Sequence, residues 1–265
     1  MPAKEFTVLI LGDIIGRSGV RAVVSGLSSL SRKYNADFVL ANGENAADGF
    51  GITPEIATQL FGCGVHVITT GNHIWQQREI YDYLDQQETI LRPANYPGGN
   101  PGHGHCVVEV RGVRVAVLNL QGRRRLYPID CPFRKAREIL RKLESQADVV
   151  LVDVHAEATD EKEALAFYLD GSVNVVVGTH THIQTADDRI LPGGTGYMTD
   201  LGACGPADSV IGFDPVISVE RARSQLPLRN EVSDNKSVMH GAVVTIQRDG
   251  WKTDGFRRFR EESLV

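Results

Sequence analysis

The chain has 265 residues, 42% of them hydrophobic and 23% charged, with a formal net charge of −5. That composition excludes a disordered chain, and the lack of a long basic run excludes the electrostatic footprint of a tight duplex nucleic-acid binder. Four scattered cysteines with no CxxC pair exclude a thiolate zinc knuckle and a disulfide framework, and they point to a reducing compartment. The N-terminus, Met1-Pro2-Ala3-Lys4-Glu5-Phe6, leads directly into an apolar run. Neither a signal peptide nor a run of ~18 apolar residues is present. A cytoplasmic enzyme is the expectation, with no membrane partner.

In chain order, residues 6–11 read as a buried strand that ends at Gly12-Asp13. Val20, Val23, Val24, Leu27 and Leu30 follow at helical spacing. Residues 38–41 form a second short strand, ending at Asn42-Gly43-Glu44-Asn45. Thr53-Pro54-Glu55 opens a helix with a capping residue and then a proline in the first turn. Residues 65–69 are a third strand, ending at Gly71-Asn72-His73, and residues 76–84 are helical. Three strand–loop–helix units in succession indicate a βαβ layout.

The middle of the chain changes character. Residues 92–105 hold three prolines and four glycines and read as a loop. Residues 106–110 and 113–117 flank Arg111-Gly112 as a hairpin, so the sheet is mixed. Residues 133–143 are helical, 148–153 a strand ending near His155, 161–169 helical, and 173–177 a valine-rich buried strand. Beyond Gly193-Gly194 the signals are short and β-like, notably 243–246 and 251–256, with a helix over 216–223. One domain with two sheets packed face to face is expected over residues 1–265.

Five strand ends carry ligand-type side chains: Asp13, Glu44-Asn45, Asn72-His73, His155 and His180/His182. Each has an ordinary explanation when taken alone. Asp13 would be a turn or helix cap, Asn72 a turn residue and His155 a structural histidine. Parallel sheets, however, bind ligands beyond the carboxyl ends of their strands. In an extended segment residues i and i+2 point to the same side, so His180 and His182 leave one strand end together. Five such ends together point to a metal site. His103, His105 and His66 keep the structural reading, and His240 is ambiguous. The glycine-rich run 12–19 lacks the GK[ST] ending of a phosphate-binding loop.

Taken together, Gly12-Asp13-Ile14-Ile15-Gly16, Asn42-Gly43-Glu44-Asn45, Thr70-Gly71-Asn72-His73-Ile74-Trp75, Asp153-Val154-His155-Ala156-Glu157 and Gly178-Thr179-His180-Thr181-His182 resemble the motifs of the calcineurin-like metallophosphoesterases. Within them, the chain is similar to the YmdB family of bacterial phosphodiesterases. It departs from the general pattern at Ile15, where a histidine is usual, and at Glu44, which replaces the usual bridging carboxylate. Both departures are those of the YmdB family.

The resemblance implies an α/β fold, a four-layer αββα sandwich, with a dinuclear metal centre. It implies that Asp13, Asn45 and His182 hold one metal and that Asn72, His155 and His180 hold the other. Glu44 would bridge them, and His73 would stay off the metals as proton donor. A mixed oxygen and nitrogen set without thiolate suits first-row divalent ions. Iron or manganese is expected from the family, with zinc as an alternative. Two such ions ~3.5–4 Å apart can share a hydroxide that attacks phosphorus in line.

The expected substrate is a small phosphodiester such as a 2′,3′-cyclic nucleotide. Phosphomonoesterase or nuclease activity on the same scaffold is the alternative, as is a metal-stabilised regulatory or RNA-interacting protein. A homo-oligomer is expected. Arg123-Arg124-Arg125 would be either a phosphate contact, with Arg123 best placed, or a solvated loop. Asp153 would either orient a ligand or cap the strand end.

Overall fold

Alternation along the first strand sets out the layers. The computed structural model describes residues 4–263. In β1 (Glu5–Ile15), Phe6, Val8 and Ile10 face one way and Leu9 and Leu11 the other, and all five are buried. A strand with two apolar faces must be covered on both. Leu9 and Leu11 meet α1 (Gly16–Tyr34), α2 (Pro54–Gly62) and α3 (Ile80–Gln86) through Val23, Leu27, Leu60 and Leu84. Phe6, Val8 and Ile10 instead pack on a second sheet through Val115, Leu151 and Val177.

The first sheet has the order β13-β12-β11-β1-β2-β3-β4. Its members are β2 (Phe38–Asn45), β3 (Val67–Thr69), β4 (Ile90–Leu91), β11 (Ala203–Pro206), β12 (Ser237–Gln247) and β13 (Lys252–Glu262), together with β1. The second sheet has the order β5-β6-β7-β8-β10-β9. It comprises β5 (His105–Val110), β6 (Val113–Gln121), β7 (Val149–His155), β8 (Val175–Thr179), β9 (Arg189–Ile190) and β10 (Gly196–Met198). Its outer face carries α4 (Pro132–Leu143) and α5 (Thr159–Leu169) on a core of Leu118, Val152, Ile139 and Leu165. The result is the expected αββα sandwich of two mixed sheets. The sixth helix, α6 (Pro215–Ser224), buries none of its residues.

The boundaries differ from the sequence reading in instructive places. β1 and β2 run past Gly12 and Asn42 because they stay paired, with register shifts on either side of Asp13. Such irregularities re-aim side chains near sites. Asn42-Gly43 is therefore interior to a strand and makes no turn. The helix expected over 76–84 splits into a 3-10 turn, Ile74–Gln76, and α3. His66 precedes β3 rather than lying in it; its Nδ1 accepts from Val39 N at 3.0 Å and its ring stacks on Phe38. His240 lies within β12. Among the described residues, no helix is long and apolar enough to cross a membrane.

Candidate metal centre

Parallel pairing puts the ends of β1, β2 and β3 at one edge of the first sheet, and β7 and β8 end together in the second. Asp13, Glu44, Asn45, Asn72 and His73 come from the first set, and His155, His180 and His182 from the second. The structure brings all eight into one cluster at the seam between the sheets. Asp13, Glu44 and His155 are fully buried, whereas the His73 side chain is 26% exposed and reachable.

The histidine rings show a common orientation. His155 Nδ1 lies 2.9 Å from Thr179 Oγ1, whose hydroxyl donates to Asp153 Oδ1 at 2.8 Å. With its own hydrogen committed, Thr179 must accept from His155, so Nδ1 carries the proton. His180 Nε2 lies 3.2 Å from Glu157 Oε2, and His182 Nδ1 lies 2.8 Å from the Ile211 carbonyl. Both partners are pure acceptors, so those nitrogens carry the protons. Each ring therefore turns an N–H outward and a lone pair inward. Outer partners that fix the tautomer in this way are a regular feature of metal-ligating histidines.

The inward atoms crowd together. His155 Nε2 is 3.0 Å from His180 Nδ1, 3.0 Å from Glu44 Oε1 and 3.1 Å from Asn72 Oδ1. All four are acceptors in these tautomers, and acceptors repel at that distance unless a cation lies among them. Ligand atoms at about 2.1 Å from one ion, at the right angles of octahedral coordination, are themselves about 3.0 Å apart. Glu44, His155 and His180 place ligand atoms within 4.8 Å of one another. Close by, His182 Nε2 is 3.0 Å from Asn45 Nδ2 and 3.9 Å from Asp13 Oδ1, and that carboxylate oxygen is buried with no hydrogen-bond partner. The residues present fit a divalent cation.

Electrostatics points the same way. Burial, and then the charges of Asp200 and Glu44, push the Asp13 carboxyl well above the usual range. Burial pushes the His180 imidazole down to about 3 and lowers His182 as well. Neutral imidazole is the form that ligates metals. Burial works to raise Glu44, and it is held well below the carboxylate range by the positive charge that His155 and His73 would carry if protonated; a cation among neutral rings would act in the same sense. A bound cation would stabilise every one of these carboxylates in its charged form.

His73 is held differently. Its Nδ1 lies 2.7 Å from Asn45 Oδ1 and 3.4 Å from Glu44 Oε1, and its backbone N–H donates to Glu44 Oε2 at 3.1 Å. Its backbone sits at φ −92° and ψ 0°, the bridge region where many active-site residues occur. The Phe50 and His73 rings pack nearly perpendicular, with centroids 5.1 Å apart. Gly71 makes room for the cluster, since a Cβ there would lie 2.1 Å from His155 Cδ2 and 2.4 Å from Glu44 Oε2.

The His180/His182 pair reaches the cluster by an unexpected route. The segment is not extended, because β8 stops at Thr179 and both histidines have positive φ, 101° and 65°. Asp13 Oδ2 receives the His180 N–H, and Asp200 receives both the backbone and the hydroxyl of Thr181. These bonds bend the chain. Ile15 is buried and wedged against Gly205 and Gly212, so an apolar side chain fills the position where a histidine is usual.

Asp153 accepts from Thr69, Thr179 and Asn42 and so stands behind His155. In the basic run, Arg124 pairs with Asp160 and Arg125 with Glu157, while the backbone N–H groups of Arg123 and Arg124 donate to Glu161. Glu157, Thr179, Lys162 and Asp200 went unassigned in the sequence. The signal for Lys162 was present: it falls on the α5 stripe of Leu165, Ala166 and Leu169, where a charge needs a partner.

Comparison with known proteins fits this geometry. A 2′,3′-cyclic-nucleotide 2′-phosphodiesterase of Bacillus subtilis (strain 168) is 44% identical over 239 residues, covering 90% of each chain. A crystal structure of a novel phosphatase from Mycoplasma pneumoniae superposes with a TM-score of 0.92 at 32% identity, covering 98% of this chain and 94% of that one. A hypothetical protein from Thermus thermophilus superposes with a TM-score of 0.90 at 38% identity, over 97% and 100% of the two chains. The model of the YmdB-like protein family matches residues 9–259, from within β1 to within β13. That span takes in both sheets and every residue of the cluster, and the chain belongs to the YmdB-like family.

Proposed function

We propose that the chain is a metal-dependent phosphodiesterase that opens 2′,3′-cyclic nucleotides or related small phosphodiesters. One observation carries the reading: the inward lone pairs of His155 and His180, 3.0 Å apart beside a buried Glu44. Asp13, Asn45 and His182 would hold one ion, Asn72, His155 and His180 a second, with Glu44 between them. Iron or manganese fits an oxygen and nitrogen set without thiolate. When bound, such ions act as Lewis acids on a phosphoryl oxygen and lower the pKa of water from about 15.7 to about 7. The activity of the Bacillus subtilis relative supports the substrate class.

The protein's own groups do the rest. His73 keeps its Nδ1 proton on Asn45 and Glu44. Its Nε2 is then the atom that carries a proton to the leaving oxygen, general-acid work suited to imidazole. Ring opening of a cyclic diester expels an alkoxide, which needs that proton. The three outward N–H bonds hold His155, His180 and His182 in the ligating tautomer throughout. The unpaired thiols of Cys63, Cys106, Cys131 and Cys204 suit a reducing cytoplasm.

The test is turnover of a substrate panel by the stripped protein, with and without Mn²⁺ or Fe²⁺. Metal-dependent hydrolysis of 2′,3′-cyclic nucleotides above that of monoesters and RNA is expected. Equal turnover with and without metal, or a preference for monoesters, would contradict the proposal.

A further inference from the structure

Behind the His180-Thr181-His182 bend lies an ion pair that the proposed chemistry does not use. Lys162 Nζ is 2.7 Å from Asp200 Oδ2, and both side chains are only 1% exposed. Among the described residues, Lys162 is the only buried lysine or arginine. Taking two charges out of water is expensive, and a buried pair is weak evidence for stability in itself. Its place in the fold shows what it does.

Asp200 Oδ2 accepts three donors: Lys162 Nζ, Thr181 N at 3.1 Å and Thr181 Oγ1 at 2.9 Å. Asp200 Oδ1 accepts from Gly202 N at 2.9 Å, and the Gly202 carbonyl in turn accepts from Asp13 N at 3.0 Å. One carboxylate thus ties together the segment bearing His180 and His182 and the strand bearing Asp13. Thr181 is the residue between two histidines of positive φ, a conformation that side-chain-bearing residues adopt rarely. Such strain persists only where the surroundings over-determine it. Lys162 Nζ donates to the same carboxylate oxygen as Thr181 and so fixes where it sits.

We infer that Lys162, Asp200 and Thr181 form a positioning clamp that presets the strained His180-Thr181-His182 bend, and with it the Asp13 backbone, for metal binding. The inference rests on the metal reading proposed above. Its chemistry lies outside the ligand set: none of the three residues is a proposed ligand or proton donor.

The experiment uses the full chain stripped of metal, titrated calorimetrically with Mn²⁺, and compares the wild type with Thr181→Val, Thr181→Ser and Asp200→Asn. Valine keeps the shape of Thr181 and removes only its hydroxyl; serine keeps the hydroxyl. Losing an outer partner of this kind costs about 10–100-fold in metal affinity. Thr181→Val and Asp200→Asn are expected to weaken Mn²⁺ binding on that scale. Thr181→Ser should stay near wild type, and the melting temperatures of the stripped Thr181 variants should remain close to it, whereas Asp200→Asn, which leaves buried Lys162 without a charged partner, should melt lower. Turnover of Thr181→Val should recover as Mn²⁺ is raised. If Asp200→Asn does not fold, the Thr181 pair decides alone. Wild-type Mn²⁺ affinity in folded Thr181→Val overturns the clamp, as do equal losses in the valine and serine variants. A wild-type chain that binds no Mn²⁺ overturns the metal reading itself, which separates the two failures.

Discussion

At the residue scale, a few atoms decide what the site can do. Among the described residues, Glu44 is the only carboxylate that touches both His155 and His73. Glu44→Gln removes its charge and keeps its shape. Catalytic efficiency should fall about 10²–10³-fold, the scale of losing one preorganised electrostatic contact, with an unchanged circular dichroism spectrum. Near-wild-type turnover in the metal-replete variant would reject the bridging role. His73→Ala should slow alkoxide leaving groups by about 10²–10⁴-fold and p-nitrophenolate far less, because only the first needs a proton. Equal losses on both substrates would argue against a proton donor. The residues that cluster were legible in the sequence because each stands at or just beyond a strand end. Glu157, Thr179 and Asp200 were not, because carboxylates and hydroxyls at strand ends and loops have many uses. Only three-dimensional contact reveals which nitrogen they face.

At the element scale, most helices and strands follow from local pattern. Thr53 caps α2, its Oγ1 accepting from Ile56 N, as the Thr-Pro-Glu signature indicates. Thr53→Ala should therefore lower unfolding free energy by about 1 kcal/mol while leaving turnover intact, measurable by urea denaturation alongside an activity assay. Periodicity located α1, α4, α5 and the hairpin of β5 and β6 closely. It could not locate β4, β9 or β10, which are two or three residues long. Nor could it place β12 beside β1, since that pairing joins Leu9 to Val243 across most of the chain. The bend at His180 escaped for a related reason. Local spacing suggests an extended pair, and a distant carboxylate, Asp200, overrides it.

At the scale of the whole molecule, the site belongs to neither sheet alone. Asp13, Glu44, Asn45, Asn72 and His73 come from one sheet, and His155, His180 and His182 from the other. Metal binding should therefore act as a cross-link between the two halves of the sandwich. A ligand that binds only the folded state at about 100 times its Kd adds about 2.7 kcal/mol of stability. Chelation should lower the melting temperature accordingly, and re-addition of Mn²⁺ should restore it; an unchanged melting temperature would speak against a metal held by the native state. The most direct test of the central claim is anomalous scattering from crystals grown with Mn²⁺. Two peaks are expected about 3.5–4 Å apart, with Glu44 contacting both, His155 and His180 at one, and Asp13 and His182 at the other. No peak among these residues, or a single ion held jointly by His180 and His182, would contradict it.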